Sequence, residues 1–120
     1  ELEAIYTCVK PLMKDLLTST LIHEIGHNWD TASENRTINE FRRLSGWSAD
    51  GETHSANVNT DFAREYGADS AIEDFATTFA AFYMPGEYID YNNGWTTANF
   101  NSSAVMQVKL TYMAFLDGRV

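Results

Sequence analysis

Basic residues are scarce in this chain. Eight lysines and arginines stand against seventeen acids, for a net charge of −9. That balance works against nucleic acid and against anionic membrane surfaces, because both would repel it. Long apolar runs are missing too, and none approaches the length that spans a bilayer. Cysteine is reduced to Cys8 alone, which permits no disulfide within the chain and reads best as a small buried hydrophobe. A basic leader region is lacking, since Glu1-Leu2-Glu3 is acidic at that place, so no signal peptide is expected there and the cellular address is unreadable. Repeats, low-complexity tracts and linkers are absent. Residues 1 to 120 are therefore expected to form one domain around a single core, whether whole or part of a larger one.

What is present is mostly helical period. Residues 3 to 9 alternate loosely and are rich in β-formers, which predicts one short N-terminal strand, closed by Lys10-Pro11. A helix is expected over about 19 to 31, capped by Thr18 or Ser19, with Leu21, Ile22, Ile25 and Trp29 as faces that bury it. Thr37 and Glu40 have capping-box spacing, Ile38, Phe41 and Leu44 recur at helical intervals, Arg42 and Arg43 are placed toward water, and Gly46 stands where that helix ends. Residues 47 to 59 are polar and aperiodic and predict a long loop, of a kind often used for binding or as a lid. The loop's His54 is expected to be solvated. Ser70 and Glu73 repeat the capping-box spacing ahead of a segment apolar nearly all round, which Met84-Pro85-Gly86 stops. Residues 87 to 100 are irregular. A last helix is expected over about 102 to 116, with Val105, Val108, Tyr112 and Phe115 as its buried stripe. The fold class is mainly α.

The chemistry-bearing stretch is His23-Glu24-Ile25-Gly26-His27. On a helix, residues four apart stand on one face, so His23 and His27 can converge on one metal ion. Glu24 lies beside the first ligand, within reach of a water activated at that metal, and is the candidate general base. A catalytic zinc needs a third protein ligand. The metzincin pattern is excluded, because Asp30 occupies its glycine position and Ser33 its final histidine. The aspartate-ligated pattern fails at Ala63. The gluzincin pattern takes a glutamate from a second buried helix, and Glu73 is the candidate, an acid in the first turn of the most apolar helix, where burial demands a partner. Its carboxylate could instead serve the capping box. Glu65, four residues before Asp69, is the competing ligand.

His23-Glu24-x-x-His27, then Tyr66, then Glu73-Asp74-Phe75-Ala76 and an aromatic-rich helix, resembles the catalytic domain of anthrax-lethal-factor-type proteases. The stretch is also similar to the clostridial Pro-Pro endopeptidases, whose His-Glu-x-x-His-x-x-Asp helix Asp30 matches. The resemblance covers roughly residues 18 to 84. It implies a zincin-like catalytic core within a larger α+β protease domain, one catalytic Zn2+ held by His23, His27 and Glu73, and secretion. It also implies that Tyr66, seven residues before the glutamate, assists catalysis as an oxyanion donor, against the plain alternative of packing. Asp30 would orient an imidazole or simply be solvated. The chain departs from the pattern at Thr77, where a second acid is common, and in having only residues 3 to 9 for the sheet that precedes the active helix. The expected function is that of a zinc-dependent endopeptidase acting on a peptide or protein, with upstream segments of a longer parent supplying sheet. The alternative is a non-catalytic zinc-binding module on the same fold.

Overall fold

Helix α3, Ala71–Tyr83, is the element on which the others are packed. In the computed structural model the described residues are 17–29, 31–58, 60–84 and 103–118. They contain α1 (residues 17–29), α2 (Arg36–Ser45), a short 3-10 helix (Glu65–Asp69), α3 and α4 (Ala104–Leu116). Helices α2 and α4 and the 3-10 segment all contact α3, and α2 also contacts α4. The described residues are thus mainly helical, as the sequence leads one to expect. Among them there is no strand, only an isolated antiparallel bridge between Trp47 and His54. The expected strand at residues 3 to 9, Cys8, Asp30 and residues 87 to 100 lie outside the described residues. No helix among the described residues is long and apolar enough to cross a membrane.

Helices α2, α3 and α4 each have an identifiable reason to start or stop. The Ser70 hydroxyl accepts from the Glu73 amide at 3.3 Å, which satisfies one orphan donor of α3. Ser103 caps α4 in the same way through the Met106 amide. Gly46 ends α2 in the left-handed region (φ 79°), with its N–H on the Arg42 carbonyl, a conformation that glycine enters without steric cost. The start of α2 corrects the expected Thr37/Glu40 capping box. Asn35 is the cap residue (φ 63°), and Thr37 lies inside the helix, buried, with its amide on the Ser33 hydroxyl. Glu40 pairs instead with Arg43 at 2.6 Å.

The core is Phe41, Phe62, Phe75, Met106 and Met113, with Ile38, Trp47, Phe79 and Tyr112 around them. The rings of Phe41 and Phe75 meet edge to face at 5.4 Å. Full burial of each such side chain contributes about 1.5–3 kcal/mol. The burial expected of α4 and of α1 is overturned. In α4, Val108 and Phe115 are exposed, and the buried face is Met106, Lys109, Tyr112 and Met113. The helix is rotated because the Lys109 ammonium is drawn inward to Asp74 at 2.8 Å, both side chains being fully buried. In α1 the apolar residues do not all go inside: Leu17, Leu21 and Ile25 remain exposed, and Gly26 is its one buried residue.

The loop after α2 is also less open than its composition suggests. Trp47 is buried, and His54 is half-buried between it (4.7 Å) and Phe62 (4.8 Å) in edge contacts. His54 is therefore a packing residue of the loop and not a solvated one. Arg42, expected in water, is half-buried, with its Nε buried.

Candidate metal centre

Two close approaches bring the site together. A Cβ on Gly26 would lie 3.2 Å from Cβ and Cγ of Phe79 and 3.3 Å from Cα of Ala76, so the absence of a side chain lets α1 settle directly on α3. A Cβ on Gly67 would lie 2.7 Å from the Thr77 hydroxyl, so the 3-10 helix also depends on a glycine to reach α3. Thr77 turns that hydroxyl back to the Glu73 carbonyl at 2.8 Å and to the Asp74 carbonyl at 3.1 Å. Helical spacing does the rest. His23 and His27 share one face of α1, and Glu73 projects from the first turn of α3 opposite them.

The three side chains converge on one point. His23 Nε2 lies 3.0 Å from Glu73 Oε2, His27 Nε2 lies 3.4 Å from Glu73 Oε1, and the two Nε2 atoms are 3.1 Å apart. Ligands about 2.0–2.1 Å from a tetrahedral zinc are separated by roughly 3.3 Å, and the observed spacings, each ring taken to its nearer Glu73 oxygen, bracket that value. The donor set of two imidazoles and one carboxylate suits such an ion. A neutral imidazole has one donor and one acceptor nitrogen. With both rings in the Nδ1–H tautomer, the two Nε2 atoms and the shared carboxylate would turn lone pairs to one spot, and a cation there would satisfy them together. Burial, the largest influence, holds the His23 imidazole below its ordinary pKa against the opposing pull of Glu73. The neutral form, the one that ligates, is thereby favoured.

Around this cluster is an open pocket of about 520 Å³ lined by Ser19, Thr20, His23, Glu24, His27, Arg64, Tyr66 and Glu73. Glu24 is exposed to it. Tyr66 comes from the 3-10 helix, with its ring centroid 6.1 Å from that of His23. Desolvation raises the pKa of its hydroxyl, and the charge of Glu73 and a hydrogen bond with it add to the rise. The phenol stays protonated, and so a donor, at neutral pH.

The structure thus brings together His23, Glu24, His27, Tyr66 and Glu73. Glu65 is exposed on the 3-10 helix and is not among the residues lining the pocket. His54 is likewise outside the lining, packed on Trp47 and Phe62. The capping-box alternative for Glu73 is half realised: Ser70 takes its amide while its carboxylate faces the histidines. Arg64, Gly26 and Gly67 were not legible as site residues. Arg64 belongs to no motif, and the two glycines could have been suspected only from their place beside His27 and Tyr66. Comparison of the chain with protein-family models, with curated proteins and with solved structures gave no match. What can be said of the site rests on its own geometry.

Proposed function

We propose that this chain is the metal-binding, catalytic part of a zinc-dependent endopeptidase of gluzincin type, with His23, His27 and Glu73 as ligands. The observation that carries the reading is the convergence of His23, His27 and Glu73, whose ligand atoms, one from each, lie within 4.8 Å of one another, with Glu24 and Tyr66 lining the same pocket. A zinc ion so held supplies a Lewis acid that makes water nucleophilic near neutral pH and polarises a carbonyl. The chain's own residues supply the rest. Glu24, beside His23 and open to the pocket, takes the proton of the attacking water and delivers it to the leaving amine. Tyr66, kept protonated by its surroundings, donates to the oxygen that gains charge as the peptide carbon becomes tetrahedral. The zincin-like core and its edge strand at residues 3 to 9 belong to this proposal. The outward stripe Leu17, Leu21 and Ile25 supports them, as an apolar face of α1 turned away from α3.

The test separates binding from chemistry. Wild-type protein is expected to carry about one zinc per chain by elemental analysis and to cleave a peptide mixture. Glu24→Gln should keep the zinc and lose hydrolysis by at least roughly a hundredfold. Protein that takes up no zinc in zinc-replete medium would overturn the reading. Protein that holds zinc yet cleaves nothing would leave only the non-catalytic module.

A further inference from the structure

Arg64 is the guanidinium of the pocket, and its Nε is buried without a hydrogen-bond partner among the described residues. Among the other cations of the described residues, Arg36 donates to the Ser33 carbonyl, Arg42 to Asn39, Arg43 to Glu40 and Lys109 to Asp74; Arg42 also keeps a buried Nε without a partner, but it lies outside this pocket. Arg64 Nε is buried and makes no hydrogen bond, although the residue lines the same pocket as Glu24, Tyr66 and the histidines. A donor that has left water without finding an acceptor is costly unless its acceptor arrives with a ligand.

The backbone under Arg64 is firmly placed. Phe62 and Ala63, just before it, are fully buried. Arg64 itself is extended, at φ −156° and ψ 163°, and its carbonyl accepts from the Gly67 amide at 2.9 Å as the 3-10 helix begins. Its side chain therefore departs from a fixed point two residues before Tyr66. A guanidinium so held presents a planar fork of N–H groups, and the acceptor that matches it best is a carboxylate.

We infer that Arg64 is a specificity residue that receives a carboxylate of the substrate, so that the site selects peptides carrying a negative charge close to the bond it cleaves. The assignment to a peptide substrate rests on the proteolytic reading above. The carboxylate could be an internal Asp or Glu side chain or a free peptide C-terminus, and both offer Arg64 the same pair of oxygens.

Binding to the Glu24→Gln protein, followed by fluorescence anisotropy, tests this without turnover. Three matched peptide sets distinguish the sources: amidated neutral peptides, amidated peptides in which one Asn or Gln is replaced by Asp or Glu, and neutral peptides with a free C-terminus. One of the charged sets is expected to bind at least about tenfold more tightly than the neutral set. Adding Arg64→Gln should reduce that preference to near unity with zinc content and denaturation midpoint unchanged, and Arg64→Lys should keep part of it. Equal binding of all three sets would overturn the inference even if the Arg64 variants failed to fold. A charge preference that survives Arg64→Gln would overturn it as well. Arg64-dependent binding in a protein that neither holds zinc nor cleaves any peptide would uphold the carboxylate site and sink the proteolytic reading. Cleavage that ignores substrate charge would do the reverse.

Discussion

Glu73 and Asp74 are neighbours in the first turn of one helix, and the fold treats them in opposite ways. Asp74 is fully buried. It is bound by the Lys109 ammonium at 2.8 Å, the Trp47 indole N–H at 2.8 Å and the Thr78 hydroxyl at 3.3 Å. Lys109 adds the Asp61 carbonyl at 2.6 Å and lies 4.1 Å above the Phe62 ring centroid. Glu73, one step of about 100° round the helix, keeps 21% of its side chain exposed and faces two imidazoles. The first acid locks the rotation of α3 from the core side, and the second uses that fixed rotation to meet α1. Burial raises the Asp74 carboxyl and lowers the Lys109 ammonium, each opposed by the attraction between them. Nothing comparable encloses Glu73, whose charge remains available to a ligand.

The contrast breaks most visibly on the buried side. Lys109→Met leaves Asp74 buried without its cation, and the expected loss is about 3–5 kcal/mol of folding stability. Urea denaturation measures it as a fall in midpoint. Replacing both residues together, Asp74→Leu with Lys109→Met, should recover part of that loss, because no orphan charge remains. The recovery stays partial because the Trp47 indole N–H loses its acceptor. Glu73→Gln in the same assay should shift stability by less than about 1 kcal/mol, as expected of a group that keeps contact with solvent. Equal penalties at 73 and 74 would erase the distinction between a structural acid and a free one.

On the open side the ranking reverses. Glu73→Gln removes the charged member of the proposed ligand set, and zinc affinity should fall by more than about a hundredfold, since changes merely behind a ligand already cost 10–100-fold. Competition with a chromogenic chelator reads this directly. Glu65→Gln, on an exposed residue outside the pocket, should leave affinity unchanged. A zinc site that survives Glu73→Gln and fails in Glu65→Gln would require Glu65 to move into the pocket and would displace the ligand assignment.

The same pair of acids shows how far the sequence could be read. His23, Glu24 and His27 were legible because four-residue spacing on a helix is a local property. The ends of α2 and α3 were legible at Gly46, Ser70 and Met84 for the same reason. The case for Glu73 from the cost of burying an acid belongs physically to Asp74, whose compensating partner is a lysine 35 positions away. Tyr66 stands seven positions before Glu73, a spacing that had meaning only through the resemblance to lethal-factor-type proteases, and no local signal announces Lys109 as a core residue. The expected stripe of α4 ran through Val105, Val108, Tyr112 and Phe115, and of these Val108 and Phe115 are exposed while Lys109 is buried. Arg64 was overlooked because an orphaned donor becomes visible only once its surroundings are folded.

The smallest expected effect probes how α1 and α3 are held together. Gly26→Ala places a Cβ 3.2 Å from Phe79 Cβ and 3.3 Å from the Ala76 backbone, closer than ordinary van der Waals contact. Relief by the ring of Phe79 is restricted, because Phe79 also meets Trp29 at 5.7 Å and Tyr83 at 5.0 Å between centroids. Alanine in place of glycine favours the helix by about 0.8–1 kcal/mol, whereas overpacking costs about 1–3 kcal/mol. The net change in stability should be a loss of no more than about 2 kcal/mol, small enough that the fold persists. A shift of a few tenths of an ångström between the helices nonetheless moves both imidazoles relative to Glu73, which the Asp74 lock holds in place. Zinc affinity should therefore drop several-fold in Gly26→Ala. An Ile25→Ala control on the exposed face should leave it unchanged. Identical zinc affinities in the two variants would mean that the ligand cluster does not depend on the close contact at Gly26.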